Sequence, residues 1–234
     1  MKKILVSDYD RTIYLDDKTT IENVEALKEF MKNNVVAIAT GRSYEDFFGA
    51  LKKYNIDSNY YLLNYGNLVL DREFNVIYEQ SLNKNEIEEI TDFFKDKECN
   101  IYYCNKSENS LVLSGNIYKI VLEYKDKEKL MKDYKEFIKK DGYLTFILKN
   151  HPHLEIISNR VDKSFAIEEI EKIEKTNCVY VIGDSDNDIT MIKKYNGYCV
   201  SNALEDVKKI ASKVYNTVSE CVYNLLEEEN KWKK

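Results

Sequence analysis

Two short acidic segments, far apart in the chain, contain the residues best suited to chemistry. Asp8 and Asp10 lie two residues apart after an apolar run, and three more aspartates follow another apolar run in the segment 183–188. In an extended segment, Asp8 and Asp10 leave the same face. One can then act as a nucleophile and the other as a proton donor, provided that their surroundings separate their pKa values. The same spacing also suits aspartates that only cap a turn, so the second segment is what favours a catalytic interpretation.

The rest of the composition excludes several other kinds of catalytic site. The two histidines, His151 and His153, are too few for a histidine-rich two-metal hydrolase. None of the five cysteines has an arginine six positions downstream, and no two of the seven glycines lie two apart. These absences exclude a cysteine-phosphatase loop and a GxGxxG motif. Phosphate chemistry would therefore rest on carboxylates, and oxygen ligands without histidine favour Mg²⁺ over zinc.

The elements that must position these residues alternate between strand and helix at both ends of the chain. Thr19 and Ser43 are predicted to cap helices, and the segment 68–78 is predicted to form a hairpin. Buried strands are predicted at 3–7, 35–39, 60–63, 179–182 and 197–200, and further helices at 165–173, 189–195, 204–214 and 220–232. This alternation indicates an α/β fold, a doubly wound Rossmann-like core with a parallel sheet.

The middle of the chain has a different order of elements, in which a helix followed by two strands occurs twice. Helices are predicted at 85–94 and 128–140, and strands at 101–104, 111–113, 143–148 and 154–157, with 118–124 either an extended continuation or a separate strand. This pattern predicts an inserted α+β domain, in which two helices cover one face of an antiparallel sheet. We place the inserted domain at residues 81–156 and the core domain at residues 1–80 and 157–234.

Polar residues concentrate at the carboxyl ends of the predicted core strands, where open α/β sheets bind ligands. The first strand ends at Asp8 and Asp10, the second at Thr40-Gly41-Arg42, and a later one at Asp184–Asp188. Four or five carboxylates in one crevice repel one another unless a cation holds them together. Mg²⁺ is therefore the cofactor that we expect.

Four motifs, in this order along the chain, resemble the signatures of haloacid-dehalogenase-superfamily phosphatases. They are Asp8-Tyr9-Asp10-Arg11-Thr12, Ala39-Thr40-Gly41-Arg42, Val161-Asp162-Lys163-Ser164 and Gly183-Asp184 through Met191. Their spacing is similar to that of Cof-type members, which carry a mobile, C2B-like cap between the second and third signatures. The resemblance covers essentially the whole chain and implies that the inserted domain is this cap.

The resemblance implies roles in catalysis and phosphate binding for the matching residues. Asp8 would attack phosphorus and become an aspartyl-phosphate. Asp10 would protonate the leaving group and then activate water. Thr40 and the backbone N–H of Gly41 would hold the phosphoryl oxygens, and Lys163 would neutralise charge on the nucleophile and the phosphoryl group.

The resemblance also implies a set of metal ligands. Mg²⁺ would bind the carboxylate of Asp8, the backbone carbonyl of Asp10 and Asp184. Asp188 would orient Asp184 or a metal-bound water. Asn187, in the same segment, would contact the phosphate.

Three positions depart from the family's pattern. Arg11 and Ser164 stand where the family has glycine, and Asn64-Tyr65-Gly66 loosens the family's Asn-Gly. Because glycine tolerates positive φ and close backbone approach, Arg11 must adopt a less strained turn or incur a conformational cost. We expect activity to survive, since the charged catalytic positions are intact, and we expect Arg11 to narrow access to the site.

Four residues close to these motifs do not receive a catalytic role from the sequence. Arg42 is the last residue of the second motif and either pairs with a nearby acid or has a role that stays open. Asp186 is expected to be exposed at a helix N-terminus, where the helix dipole stabilises it. His151 and His153 are expected to line the substrate entrance rather than to hold a metal.

These inferences predict a Mg²⁺-dependent phosphomonoesterase that hydrolyses a small phosphorylated metabolite, with a sugar phosphate as the first expectation. A phosphosugar mutase stays open because it uses the same chemistry. A receiver-like module that only binds Mg²⁺ and accepts a phosphoryl group also stays open. Such a module needs neither Asp10 nor an inserted domain, so the enzyme is favoured.

Charge and cysteine usage predict the surroundings in which the chain works. A net charge of −6 argues against nucleic-acid binding. No apolar run approaches the roughly 20 residues that a membrane span needs, so no membrane partner is expected. Five scattered cysteines without a CxxC pair indicate reduced thiols in a cytoplasmic protein. Nothing in the sequence indicates the oligomeric state.

Overall fold

The computed structural model describes residues 2–148 and 151–232 and contains two sheets. In chain order the strands are β1 (Ile4–Asp8), β2 (Val35–Ala39), β3 (Tyr60–Leu63), β4 (Leu68–Asp71), β5 (Val76–Glu79), β6 (Cys99–Cys104), β7 (Asn109–Ser110), β8 (Lys119–Tyr124), β9 (Tyr143–Ile147), β10 (His153–Ser158), β11 (Val179–Gly183), β12 (Tyr198–Val200) and β13 (Lys213–Tyr215). The helices are α1 (Asp17–Met31), α2 (Tyr44–Lys53), α3 (Lys84–Phe94), α4 (Lys127–Phe137), α5 (Lys163–Glu174), α6 (Ile189–Lys194), α7 (Glu205–Ile210) and α8 (Val218–Trp232).

The larger sheet has eight strands in the order β13-β12-β11-β1-β2-β3-β4-β5. Its first six strands in that order are parallel, and β4 and β5 add antiparallel at one edge. The central strands β1 and β2 are buried along their whole length. Their sequences are accordingly almost continuous apolar runs, as is typical of parallel strands covered on both faces.

Helices cover this sheet on both faces. Alternate strand residues point to opposite faces, so Leu5 packs in one core cluster and Ile4 and Val6 in the other. The first cluster takes apolar residues from α1, α2 and α8, and the second from α5, α6 and α7. The predicted doubly wound α/β core is confirmed.

The smaller sheet has five antiparallel strands in the order β7-β6-β8-β10-β9. Helices α3 and α4 pack on one of its faces through Ile90, Phe94, Leu130 and Phe137. This unit is the predicted α+β insertion with an antiparallel sheet and two helices, and we call it the cap. The exact division between the cap and the core stays a prediction.

Two predicted elements are wrong. The apolar run 111–113 is not a strand: pairing with β6 stops at Ser110, and the side chains of Leu111, Val112 and Leu113 are more than half exposed. The segment 204–214 is not one helix, because α7 ends at Ile210 and Ala211 has extended φ and ψ. Residues 213–215 then form the edge strand β13 beside β12.

Three smaller features bear on other predictions. Helix α1 begins earlier than the predicted Thr19 cap, because the Asp16 side chain accepts a hydrogen bond from the Thr19 backbone N–H. All five cysteines are free thiols. Within the described residues, no helix is long and apolar enough to span a membrane.

Candidate active site

The parallel pairing of β1 with β11 brings the two acidic segments together. Ser7 pairs with Ile182, so Asp8 and Asp184 leave the carboxyl ends of neighbouring strands. A 3-10 turn after β11 then returns Asp188 to the same place. Carboxylate oxygens of Asp8, Asp184 and Asp188 lie within 4.8 Å of one another, and all three residues are buried.

Lys163 lies at the centre of this cluster. The side chain of Asp162 caps α5 by accepting hydrogen bonds from the backbone N–H groups of Ser164 and Phe165, which places Lys163 at the first position of the helix. Its Nζ donates to Asp8 Oδ1 at 2.5 Å, to Asp188 Oδ1 at 2.7 Å and to Asn187 Oδ1 at 2.7 Å. One buried ammonium therefore links β1 to the segment after β11.

Both carboxylate oxygens of Asp188 accept hydrogen bonds from neighbouring residues. Oδ1 accepts from Lys163, and Oδ2 accepts from the backbone N–H groups of Asp184 at 2.9 Å and Ser185 at 3.0 Å. A Cβ on Gly183 would lie 2.4 Å from Asp188 Cγ, so only glycine lets the carboxylate approach this closely. The geometry suits a residue that orients the Asp184 segment.

Two oxygens of the cluster differ from the others. Oδ2 of Asp8 and Oδ2 of Asp184 are buried and accept no hydrogen bond from any described residue. Buried carboxylate oxygens without a donor are costly, and a divalent cation with oxygen ligands would satisfy both. The donor set therefore fits Mg²⁺.

The pKa values follow from burial and crowding. Burial, and then the negative charge of Asp188, raise the pKa of Asp8 well above its ordinary value, although Lys163 opposes this. Burial and Asp188 likewise raise the pKa of Asp184 to about 6. Burial alone would lower the pKa of Lys163, but attraction to Asp188 and Asp8 outweighs it and raises the pKa. The ammonium therefore stays charged.

Asp10 turns away from the cluster of carboxylates towards Arg42. The guanidinium donates from Nε to Asp10 Oδ2 at 2.9 Å and from Nη2 to Oδ1 at 2.5 Å, and Thr40 Oγ1 donates to Oδ2 at 3.5 Å. The Asp10 side chain is 43% exposed. Arg42, whose role the sequence left open, thus forms a bidentate ion pair with Asp10, the predicted acid–base residue.

Of the two outcomes expected for Arg11, a less strained turn or a conformational cost, the structure shows the second. Its φ is +64°, in the left-handed region that favours glycine, so the conformational cost is incurred. Nη1 lies 3.3 Å from Asp184 Oδ2, and Nη2 donates to the carbonyl of Asn202 at 3.0 Å. Asn202 Nδ2 in turn donates to the Arg11 carbonyl at 2.8 Å.

The loop after β2 is braced by the turn after β3. The backbone N–H of Tyr65 donates to the Thr40 carbonyl at 3.0 Å, and that of Asn64 donates to the Arg42 carbonyl at 2.9 Å. Asn64 and Tyr65 both have positive φ. This strained turn holds Thr40, Gly41 and Arg42, here called the phosphate loop, beside Asp8 and Asp10.

The remaining sequence-predicted residues lie as follows. Asp186 is exposed in the 3-10 turn after β11, as predicted. His153 lies on β10 with Nε2 3.4 Å from Glu123 Oε1, and the ring of His151 is 5.5 Å from it. Among the described residues, the metal-type cluster of carboxylates includes neither histidine. Their place at a substrate entrance stays a prediction.

Sequence reasoning missed two cap residues that contact the core beside the phosphate loop. Lys119 donates to the Gly41 carbonyl, and Glu155 accepts from Lys119 and from Tyr65. The available signal was a single charged residue inside each of two apolar segments, Lys119 in 117–122 and Glu155 in 154–157.

The sequence model of the haloacid dehalogenase-like hydrolases matches residues 5–112 and 102–226. The chain belongs to this family. An uncharacterised protein of Mycoplasma capricolum subsp. capricolum is 25% identical over 269 aligned residues, which cover 95% of this chain and 100% of the relative.

Solved structures of the family share the fold. A haloacid dehalogenase-like hydrolase from Bacteroides thetaiotaomicron superposes with a TM-score of 0.80 at 20% identity, covering 96% of this chain and 100% of its own. The subclass IIB sugar phosphatase BT4131 superposes with a TM-score of 0.76 at 19% identity, covering 98% and 99%. Both the core and the cap are therefore arranged as in this family.

Proposed function

We propose that this family member is a Mg²⁺-dependent phosphomonoesterase that works through an aspartyl-phosphate on Asp8. The observation that carries the proposal is the pair of buried oxygens on Asp8 and Asp184 that accept no hydrogen bond from any described residue, beside the Lys163 ammonium. Asp8, Asp184 and the Asp10 backbone carbonyl would hold the ion. When bound, Mg²⁺ would supply positive charge to the phosphoryl oxygens and keep the carboxylates ionised.

The residues of the chain would divide the work of phosphoryl transfer. An Asp8 oxygen would attack phosphorus while Lys163 offsets the negative charge of both groups. The Thr40 hydroxyl, the Gly41 N–H and Asn187 would hold the equatorial oxygens. Such positioning and charge compensation are most of what phosphoryl transfer requires.

Asp10 would handle the proton. In the first step it would donate a proton to the leaving oxygen, and in the second it would take one from the water that attacks the phosphorus of the aspartyl-phosphate. The ion pair with Arg42 holds the carboxylate in one orientation at the partly exposed edge of the site. Because both carboxylate oxygens accept hydrogen bonds from Arg42 in this structure, one of them would have to leave the guanidinium before Asp10 could carry a proton to the leaving oxygen.

The substrate would be a small phosphorylated metabolite, with a sugar phosphate as the first candidate. The name of the structural neighbour BT4131 as a sugar phosphatase supports this class. The cap would lie over the leaving group and exclude water during transfer. We also propose residues 1–80 and 157–234 as the core domain, residues 81–156 as the cap domain, and the cytoplasm as the location.

The decisive assay compares Asp8→Asn with the wild type on p-nitrophenyl phosphate and on a broad set of phosphorylated metabolites, with Mg²⁺ and with a chelator. We expect the substitution to lower the rate by at least about 10³-fold, because the nucleophile is lost. Asp186→Asn is the matched control, since it removes an exposed aspartate of the same motif. Equal rates for Asp8→Asn and wild type would defeat the assignment of Asp8.

The products of the same assay separate the alternatives. Release of inorganic phosphate supports hydrolysis. Transfer of the phosphoryl group to another position of the sugar would instead identify a mutase. An aspartyl-phosphate that persists for hours without release would identify a phosphoacceptor module.

A further inference from the structure

The cap and the core meet in a buried polar cluster, here called the clasp, that consists of Lys119, Glu155 and Tyr65. All three residues are at most 6% exposed. Lys119 Nζ donates to Glu155 Oε1 at 2.6 Å and to the Gly41 carbonyl oxygen at 2.8 Å. The Tyr65 hydroxyl donates to Glu155 Oε2. One hydrogen bond thus runs from the cap to the phosphate loop, and another from the core back to the cap.

The alternation of side chains along the cap strands places Lys119 and Glu155 on the sheet face opposite to α3 and α4. In β8, Ile120 and Leu122 pack under the helices, so Lys119 leaves the other face. In β10, Leu154 and Ile156 pack under the helices, so Glu155 does the same. The helix-free face of the cap therefore presents a charged pair to the core.

Tyr65 of the core packs against this face of the cap. Its ring stacks on Phe146 of β9 with centroids 4.0 Å apart, and Phe146 pairs with Glu155 across the sheet. The same ring lies against the phosphate loop, since a Cβ on Gly41 would be 2.4 Å from Tyr65 Cζ. Tyr65 has a φ of +62°, a strained value for tyrosine, which places its ring between the loop and the cap.

A buried ion pair does not by itself stabilise a fold, because desolvation offsets the attraction. Such a pair can instead favour one relative arrangement of the segments that carry the two charges. Burial alone would lower the pKa of Lys119, but attraction to Glu155 raises it overall, so the ammonium stays charged. The charged Lys119 then requires both Glu155 and the Gly41 carbonyl as partners.

The clasp must also open. With the cap in this position, Asp8 is 4% exposed and Lys163 and Asp184 are 1% exposed. Because the clasp joins the cap to the phosphate loop, a phosphorylated substrate that enters between the cap and the core would have to separate the clasp residues. Each turnover would therefore break and re-form the contacts of Lys119 and Tyr65.

We propose that Lys119, Glu155 and Tyr65 are positioning residues that couple closure of the cap to the geometry of the phosphate loop. With the cap closed, Lys119 fixes the Gly41 peptide, and with it the Thr40 hydroxyl and the Arg42 side chain. With the cap open, the loop loses this restraint. The catalytic consequence rests on the proposed function of the loop, whereas the mechanical coupling does not.

Amide hydrogen exchange of the phosphate loop tests the coupling without any substrate. Tyr65→Phe removes one hydroxyl and keeps the ring, and Lys119→Met/Glu155→Gln removes both charges so that neither is left buried alone. We expect exchange in peptides covering residues 40–46 to rise about five- to tenfold in both variants, as expected for the loss of a hydrogen bond to a charged group. Tyr124→Phe is the matched control, because it removes a buried hydroxyl that contacts Asp133 within the cap.

Kinetics on the same variants provides a second readout. We expect kcat to fall about tenfold with a smaller change in KM, because the loop is misplaced after the substrate has bound. Unchanged loop exchange in both clasp variants, or an equal rise in Tyr124→Phe, would overturn the proposal. If the wild type hydrolyses no phosphoester while the exchange changes as expected, the proposed function fails and the clasp stands.

Discussion

Charge balance at single residues decides what the site can hold. Three buried carboxylates, of Asp8, Asp184 and Asp188, face the ammonium of Lys163 and the guanidinium of Arg11. The carboxylates outnumber these two cations by one, and two of their oxygens accept no hydrogen bond from the part of the chain that the structure describes. The surplus negative charge is the local reason to expect a divalent ion.

Arg11 is predicted to compete with that ion. Its Nη1 lies 3.3 Å from the same Asp184 oxygen that lacks a hydrogen bond. We expect Arg11→Gly to tighten Mg²⁺ binding about tenfold and to relieve about 1 kcal/mol of backbone strain. Isothermal titration with Mg²⁺ at fixed ionic strength and urea unfolding measure the two effects. Arg72→Gln removes an exposed arginine that pairs with Asp57, so it controls for the change in net charge; weaker Mg²⁺ binding in Arg11→Gly would refute the prediction.

Single residues were predictable from the sequence where topology alone brings them together. Asp8 and Asp184 lie at the carboxyl ends of strands predicted for one parallel sheet, which puts them at the same edge, and the pairing of β1 with β11 makes them neighbours. The partner of Arg42 was not predictable, because several acids lie within reach of a side chain of that length. Lys119 was missed because one lysine within an apolar strand can equally face solvent, whereas in the structure it is buried with its Nζ on the Gly41 carbonyl of the core.

At the level of elements, the N-terminus of α5 is what places Lys163. The Asp162 side chain accepts hydrogen bonds from two N–H groups of the first turn, which have no carbonyl partner within the helix. Without them, the first turn would fray and the ammonium would lose its fixed position between Asp8 and Asp188.

Asp162→Ala should therefore affect stability and catalysis together. We expect a loss of about 1 kcal/mol in the free energy of unfolding and a decrease in kcat of about tenfold or more. Urea unfolding and steady-state kinetics measure the two quantities. Asp126→Ala removes the N-cap side chain of α4, a helix of the cap domain. It should lower the free energy of unfolding by a similar amount and leave kcat unchanged. If both variants lose stability but kcat is unchanged in both, α5 does not position Lys163 in this way.

Helices and strands were predictable from the sequence wherever the spacing of apolar residues matches the residues that the fold buries. The two wrong predictions show where they do not. Val207, Ile210, Ala211 and Val214 have helical spacing, yet Val214 is 46% exposed and belongs to an edge strand that pairs with β12. The run 111–113 has strand composition, yet it finds no backbone partner beyond Ser110. Both errors arise because pairing with distant backbone, rather than local pattern, decides the outcome.

For the whole molecule, binding of Mg²⁺ should link stability to pH. The pKa of Asp184 is raised to about 6 in the metal-free fold, first by burial and then by Asp188. Protonation therefore favours the folded state: this stability is fully present below the unfolded pKa of about 4 and is lost as pH rises through about 6. Mg²⁺ requires the ionised carboxylate, so its stabilising effect has the opposite trend.

Thermal unfolding measures this linkage. We expect saturating Mg²⁺ to raise Tm clearly at about pH 7.5 and little at about pH 5. Removal of the ion by a chelator should reverse the rise. Asp184→Asn should abolish the effect of Mg²⁺ at both pH values, and an equal rise of Tm at both pH values in the wild type would contradict the assigned role of Asp184.

The formation of a phosphoryl bond on Asp8 is the most direct test of the central claim. Turnover of p-nitrophenyl phosphate with Mg²⁺ would be stopped in acid, and the digested protein examined by mass spectrometry. We predict a phosphoryl adduct on the peptide that contains Asp8 and none on that peptide in Asp8→Asn. An adduct on another residue, or undiminished hydrolysis by Asp8→Asn, would contradict the account.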